Sequence, residues 1–150
     1  MTDFVFNQKV NSPFADVTDA ALGAAASEGW ATNDIGKAVK ITGANSYALC
    51  VNGDPIEGFV VAVEAISVND GFGFGAVQRN CRVEAELFTG VSGAAVGDFV
   101  VSGTQAAVGT AGIAQVKPEA VAGTEDVFNW RIIRLFTDGN AGSKVLLERT

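Results

Sequence analysis

The stretch Asp34-Ile35-Gly36-Lys37-Ala38-Val39-Lys40-Ile41-Thr42-Gly43 runs into Ala44-Asn45-Ser46-Tyr47-Ala48-Leu49-Cys50-Val51. It continues as Asn52-Gly53-Asp54-Pro55-Ile56-Glu57-Gly58 and then Phe59-Val60-Val61-Ala62-Val63-Glu64. Lys37, Val39 and Ile41 recur at a period of two, as do Tyr47, Leu49 and Val51. Phe59, Val61 and Val63 repeat the pattern, with Val60, Ala62 and Glu64 facing the other way. That alternation is the pattern of half-buried strands. Asn52-Gly53-Asp54-Pro55 is a turn, because Asn and Gly tolerate positive φ and Pro cannot sit in mid-sheet. Three short strands joined by turns are therefore expected between residues 34 and 64.

The same grammar extends to the C-terminus. Asn69-Asp70-Gly71 marks a turn, and Gly75-Ala76-Val77 belongs to a strand. Cys81, Val83, Ala85 and Leu87 alternate with Arg82, Glu84 and Glu86, which places the charges on a solvated face. Glu84 and Glu86 lie about 7 Å apart on such a strand, near the spacing of paired catalytic acids. The solvated face accounts for them without a sugar cleft. Val96-Gly97-Asp98-Phe99-Val100 is turn and strand, and residues 104–112 read as weakly structured. Ile113 to Val116 is a short strand ending at Lys117-Pro118. Val127 to Phe136 is the longest late strand, with Phe128, Trp130, Ile132 and Phe136 on one face. By the same alternation Arg131 and Arg134 stand on opposite faces, as interface or rim charges. Lys144 to Glu148 is an edge or closing strand.

Residues 1–30 differ. Phe4, Val5, Phe6, Val10 and Phe14 are scattered among polar residues. Thr18 to Gly29 reads as a short helix or an extended arm. Thr18 is a cap and Gly29 a stop, while Gly23 costs about 1 kcal/mol relative to Ala. An edge strand packed on its own barrel is the competing reading. The expected organisation is an N-terminal arm, 1–30, and one β-domain, 31–150.

A chain of 150 residues with 48% hydrophobic and 18% charged residues is large and apolar enough to build one core. No apolar run approaches the ~20 residues of a membrane helix, and the first residues do not resemble a secretory leader. The net charge is −7, and no basic stripe offsets it, so neither nucleic acid nor membrane is an expected partner. The acid excess fits solubility at high copy number. Histidine is absent, which removes the commonest general base and zinc ligand. Asp34, Asp54 and Asp98 each neighbour a Gly, as turn-building aspartates do. Phe72-Gly73-Phe74-Gly75 lacks the following helix that a dinucleotide loop requires. Cys50 and Cys81 read as buried thiols. No catalytic, metal or cofactor site is expected, and the chain is not read as an enzyme.

Four pieces in order resemble the small capsid cement, or head decoration, proteins of tailed bacteriophages. They are Asp34 to Lys40, Leu49 to Gly58, Gly75-Ala76-Val77-Gln78 with Arg82-Val83, and Val96 to Val100. The resemblance spans roughly residues 30–105, with a weaker echo in the last twenty. It implies a small all-β body, barrel-like or β-tulip-like, forming a homotrimer. It implies a structural virion protein, made in the bacterial host cytoplasm. Such a protein binds the major capsid protein on the outer surface of the expanded head and braces it against internal DNA pressure. Candidate contact residues are Phe4, Phe6, Phe14, Trp30, Arg131 and Arg134. The alternative is a carbohydrate- or host-surface-binding β-module of a virion, with Trp30, Tyr47 or Phe72 stacked on sugar rings.

Overall fold

The strands expected between residues 34 and 64 form a wall that two hydrophobic cores share. The computed structural model describes residues 16–22, 30–43, 46–64, 74–119 and 130–149. The strands are β1 (Asp16–Leu22), β2 (Ala38–Gly43), β3 (Ser46–Leu49), β4 (Gly58–Val63) and β5 (Phe74–Asn80), then β6 (Arg82–Leu87), β7 (Val100–Ser102), β8 (Gln115–Pro118), β9 (Trp130–Leu135) and β10 (Lys144–Arg149). The protein is all-β, in two sheets. In the first sheet, β1 pairs with both β3 and β5, so the pairings run in a ring, β1-β3-β2-β4-β5. The second sheet has the order β7-β8-β6-β10-β9. Its two ends meet where Phe99 bridges to Arg131 and Gly97 N donates to Ile132 O at 2.7 Å. That junction covers backbone which would otherwise form an exposed edge.

Two expectations are corrected here. Thr18 to Leu22 lies in strand β1, not in a helix; this is the competing strand reading, except that the strand is paired on both sides and is not an edge. The helix pattern had a thin apolar face, and pairing on both sides satisfies the backbone more fully. Lys144 to Glu148 lies in β10, which is not an edge strand. It pairs with β6 on one side and β9 on the other.

The ring interior holds Trp30, Val39, Tyr47, Val60 and Val77. Ala38, Cys50, Ile56 and Phe59 face outward from the same wall, into a second core with Leu87, Val116, Trp130, Ile132, Val145 and Leu147. Ala38 and Val39 thus serve different cores, and so do Phe59 and Val60. Trp130 ties the layers together: its ring meets Phe59 edge-on at 4.8 Å, and its indole N–H donates to Ile56 O at 3.1 Å.

Single-residue bulges interrupt the alternation. Val60 opposes Val77 while Ala62 opposes Ala76, so Val61 is the extra residue. Val63 consequently packs against the same core as Val60, not on the face of Phe59 and Val61 as strict alternation requires. Ile41 and Val51 complete the pattern in sequence, but they lie beyond the core and are 54% and 58% exposed.

Asp54 and Asp98 each close a four-residue turn. The Asp54 carboxylate accepts from Val51 N, and the Asp98 carboxylate from Ala95 N, both at 2.8 Å. Gly53 and Gly97 occupy the third position with φ of 93° and 98°, where a side chain would be strained. Asp34 makes the same bond to Ala31 N at 2.8 Å but does more. Lys37 is not an ordinary strand residue: it is completely buried with Asp34, Nζ to Oδ1 being 2.6 Å. The remaining Lys37 donors reach Ala107 O at 2.8 Å and Thr110 O at 2.6 Å. Both Asp34 oxygens accept from Gly109 N at 2.9 Å. Residues 104–112 are therefore a strap from the second sheet pinned onto the first, and Val108 packs against the ring core.

Removing one partner of a buried, fully bonded pair strands the other charge. Lys37→Met is expected to cost about 3–5 kcal/mol in denaturant unfolding. Hydrogen exchange at the Gly109 amide is expected to speed up more than exchange at the Trp130 indole. Equal protection at Gly109 in variant and parent would show that the strap does not depend on the pair.

Candidate docking surface

The outer face of the second sheet is built by cross-strand register. On β10, Lys144, Leu146 and Glu148 share one face, opposite Glu86, Glu84 and Arg82 of β6. On the other side Leu146 opposes Arg134 and Glu148 opposes Arg131, with Ile133 bulged between them. Both arginines therefore lie on the same face although they are three residues apart, which corrects the expectation of opposite faces. Sequence alternation has no way to register a bulge, which shifts every later side chain by one.

The same bulge explains Phe136, expected in the core with Trp130 and Ile132. It is 41% exposed, and the Arg134 guanidinium lies over its ring, 4.9 Å from the centroid. A guanidinium over a ring is attracted by the ring's π face and keeps its N–H groups available as donors. Among the described residues no hydrogen-bond acceptor engages Arg134. Arg131 shares Glu148 with Arg82, at 3.8 and 3.3 Å. Lys144 pairs with Glu84 at 3.0 Å, and Gln115 donates to Glu86 at 3.1 Å. Glu84 is thus ion-paired and Glu86 hydrogen-bonded to a neutral side chain, both on the outer face on which their alternation placed them. Beside β9 runs the segment 94–97, joined to it through Gly97 and to Gly139 through Ala94 N at 2.9 Å. It carries Val96, 61% exposed. The surface is a planar cation on an aromatic ring with an exposed aliphatic residue on the adjoining strip. Arg and aromatic anchors of this kind are enriched in protein interfaces.

Of the other candidate contact residues, Trp30 is a core residue of the ring at 1% exposure, so its side chain is not presented at the surface. Tyr47 is buried beside it, which removes both rings from the sugar-stacking scheme. Phe4, Phe6, Phe14 and Phe72 lie outside the described residues. Phe136 and Val96 were missed by the sequence reading. An apolar residue ahead of Gly-Asp or ahead of Thr-Asp-Gly carries no sequence mark of exposure. A second, shallow groove of about 450 Å³ is lined by Asn52, Phe88, Gly90, Val91, Lys117 and Pro118, among others. No group of three or more metal-ligating side chains occurs among the described residues. Comparison with protein families, with curated proteins and with solved structures finds no match.

Cys50 and Cys81 are free thiols. Burial, with help from Asp54, pushes Cys50 up from an ordinary 9.0 to about 12. Burial likewise pushes Cys81 up to about 11, against the pull of Arg149. Nucleophilic chemistry needs a thiolate, so neither is activated near neutral pH. Both protons are held more tightly in the folded state than in the unfolded one. The stability this contributes is complete below pH 9 and is lost as pH rises towards about 11–12. Folded protein at pH 8 is expected to resist iodoacetamide at Cys50 and to label there on unfolding. Serine at both positions is expected to flatten the stability loss between pH 9 and 11.

Proposed function

We propose that this protein is a structural virion protein that binds the outer surface of an assembled, expanded phage head and stabilises it against internal DNA pressure. The observation that carries the reading is the pair Arg131 and Arg134, delivered to one exposed face by the Ile133 bulge and set beside the exposed Phe136. The ordered resemblance of residues 30–105 to head decoration proteins supports it. So does an all-β body whose second sheet meets its own edge. Among the described residues such a body offers paired strands to a repeating lattice.

The mechanism is mass action. A partner that binds only the expanded shell stabilises that state by its binding free energy. Several weak contacts suffice when the binder is multivalent, and a homotrimer spanning adjacent copies of the major capsid protein gains in this way. Arg134 supplies N–H donors, and Phe136 and Val96 supply apolar area. Phe4, Phe6 and Phe14 are proposed as further contacts to a neighbour or to the shell. The glycan-binding alternative keeps Phe72, outside the described residues, and adds Phe136, one face of which Arg134 already covers.

Purified protein is expected to co-sediment saturably with expanded heads of its phage, and not with compact proheads, and to raise the temperature of DNA release. Arg134→Ala lies on the surface and is expected to change folding stability by no more than about 0.5 kcal/mol. It is expected to weaken head binding by at least about tenfold. Failure of the parent protein to bind either form would overturn the reading. A positive glycan array with no head binding would put the alternative in its place.

A further inference from the structure

The seam between the two sheets contains a second cationic centre, separate from the outer face and independent of the proposed function. In β5, Asp16 opposes Asn80 while Val17 opposes Gln78, so Arg79 is the bulged residue. The bulge turns its side chain to Glu57, which precedes β4, and Nη2 bonds the Glu57 carboxylate. From β10, Arg149 reaches the same place. Its Nη1 donates to Glu57 O at 2.6 Å and to Arg79 O at 3.0 Å, and its Nη2 lies 3.7 Å from the Glu57 carboxylate. Its guanidinium also lies over the Trp130 ring, 6.0 Å from the centroid.

Two guanidiniums therefore converge on a single carboxylate. Of the ionised side chains described at this centre, two are cationic and one is anionic. Each guanidinium carries five N–H donors, and most of these have no acceptor among the described residues. Arg79 Nε is shut off from solvent with no partner among the described residues. An unmet buried donor is destabilising, so the Arg79–Glu57 arrangement is an incomplete one. The side chains still reach solvent, with Arg79 32%, Arg149 20% and Glu57 18% exposed.

We propose that the seam formed by Arg79, Arg149 and Glu57 is a binding site for an oxyanion, a carboxylate, sulfate or phosphate group. Its oxygens accept from the N–H donors of both arginines that are not already bonded, because planar forked donors match such groups in two-point contact. The Arg149 bonds to main-chain carbonyls hold that guanidinium still. The Trp130 ring supports it from below. Arg79 is the movable member: with an anion to share, it can leave its imperfect contact with Glu57 and bring Nε into use.

The test uses the full chain with sodium phosphate, sodium sulfate and sodium acetate as separate probes, each against sodium chloride at matched ionic strength. At tenfold the dissociation constant, a rise of about 3–5 °C in the unfolding midpoint is expected. Arg79→Gln is expected to lose the rise, while Arg82→Gln, on the outer face, keeps it. Sulfate and phosphate also stabilise proteins by exclusion from the surface, and that effect is common to all variants. Equal rises in the parent and Arg79→Gln would therefore overturn the proposal. If Arg79→Gln does not fold, the arginine Nε–H resonances of the labelled parent decide the matter. Saturable movement of the Arg79 and Arg149 signals, with the Arg82 signal fixed, supports the site. No movement of either signal rules it out. Response to acetate as well as to phosphate would extend the ligand to side-chain carboxylates, and response to phosphate and sulfate alone would restrict it to dianions.

Discussion

The Lys37 ammonium is where the two sheets are fastened. Its three donors meet three acceptors: the Asp34 carboxylate and the carbonyls of Ala107 and Thr110. Burying charge is expensive, and an apolar pair of the same volume can be as stable or more so. An apolar pair would lack direction, however. Two of the acceptors are main-chain atoms of the strap, and the carboxylate takes the Gly109 N–H between them. A strap rich in Gly, Ala and Thr has little side-chain packing of its own to fix its path. The buried pair fixes that path, and Val108 then caps the ring core. Asp34 in turn is held by Ala31 N, which sets the chain next to Trp30. One ion pair thus couples the entry to the first sheet, its core and a loop of the second.

This is also where the sequence was hardest to read. Asp34 looked like any turn aspartate, and Lys37 fitted a strand face. Each description is locally correct, since Asp34 does close its turn and Lys37 does precede β2 on the inward side. That the two are buried together depends on residues about seventy positions later, and the strap's composition suggested only a loose connection. Strand existence was legible because alternation and turn chemistry are local. Arg82 to Leu87 shows it at its best, with Ala85 and Leu87 inside and Arg82 and Glu84 out. Facing was lost where a bulge intervened in an assigned strand, at Val61 and Ile133. A bulge needs only one extra residue and leaves no composition signature, yet it inverts the in-out assignment of everything after it. The shift of Phe136 from assumed core to surface is the result of the bulge at Ile133.

The N-terminal segment stayed ambiguous between helix, arm and strand for a different reason. Small residues between Thr18 and Ala26 satisfy helix caps and propensity, and they satisfy a strand nearly as well. Pairing decided the matter for residues 16–22. With β3 on one side and β5 on the other, β1 completes the ring, a context that propensity cannot anticipate. The charge balance carries a similar lesson. A net charge of −7 does not say which charges share a face: Arg82, Arg131, Arg134 and Lys144 all lie on the outer face of the second sheet, among Glu84, Glu86 and Glu148. Net charge describes long-range steering, while a contact depends on which charges share a face.

Two of the bulges have a property in common beyond breaking the pattern. The bulge at Arg79 turns a guanidinium into the seam, towards Glu57. The bulge at Ile133 brings a guanidinium onto the open face, over Phe136. In a strictly alternating sheet, Arg134 would point inward beside Ile132, where an unpaired cation is untenable. The extra residue therefore does not merely tolerate the arginine; it is the condition for having one there. An outward Arg134 could have been specified more simply by moving it one position along the strand. The chain instead keeps Trp130, Ile132 and Leu147 in register below while re-aiming the side chains beyond Ile133. The geometry of the exposed arginines is in this way tied to the packing of the core beneath them, and one backbone irregularity places Arg131, Arg134 and Phe136 on a common face.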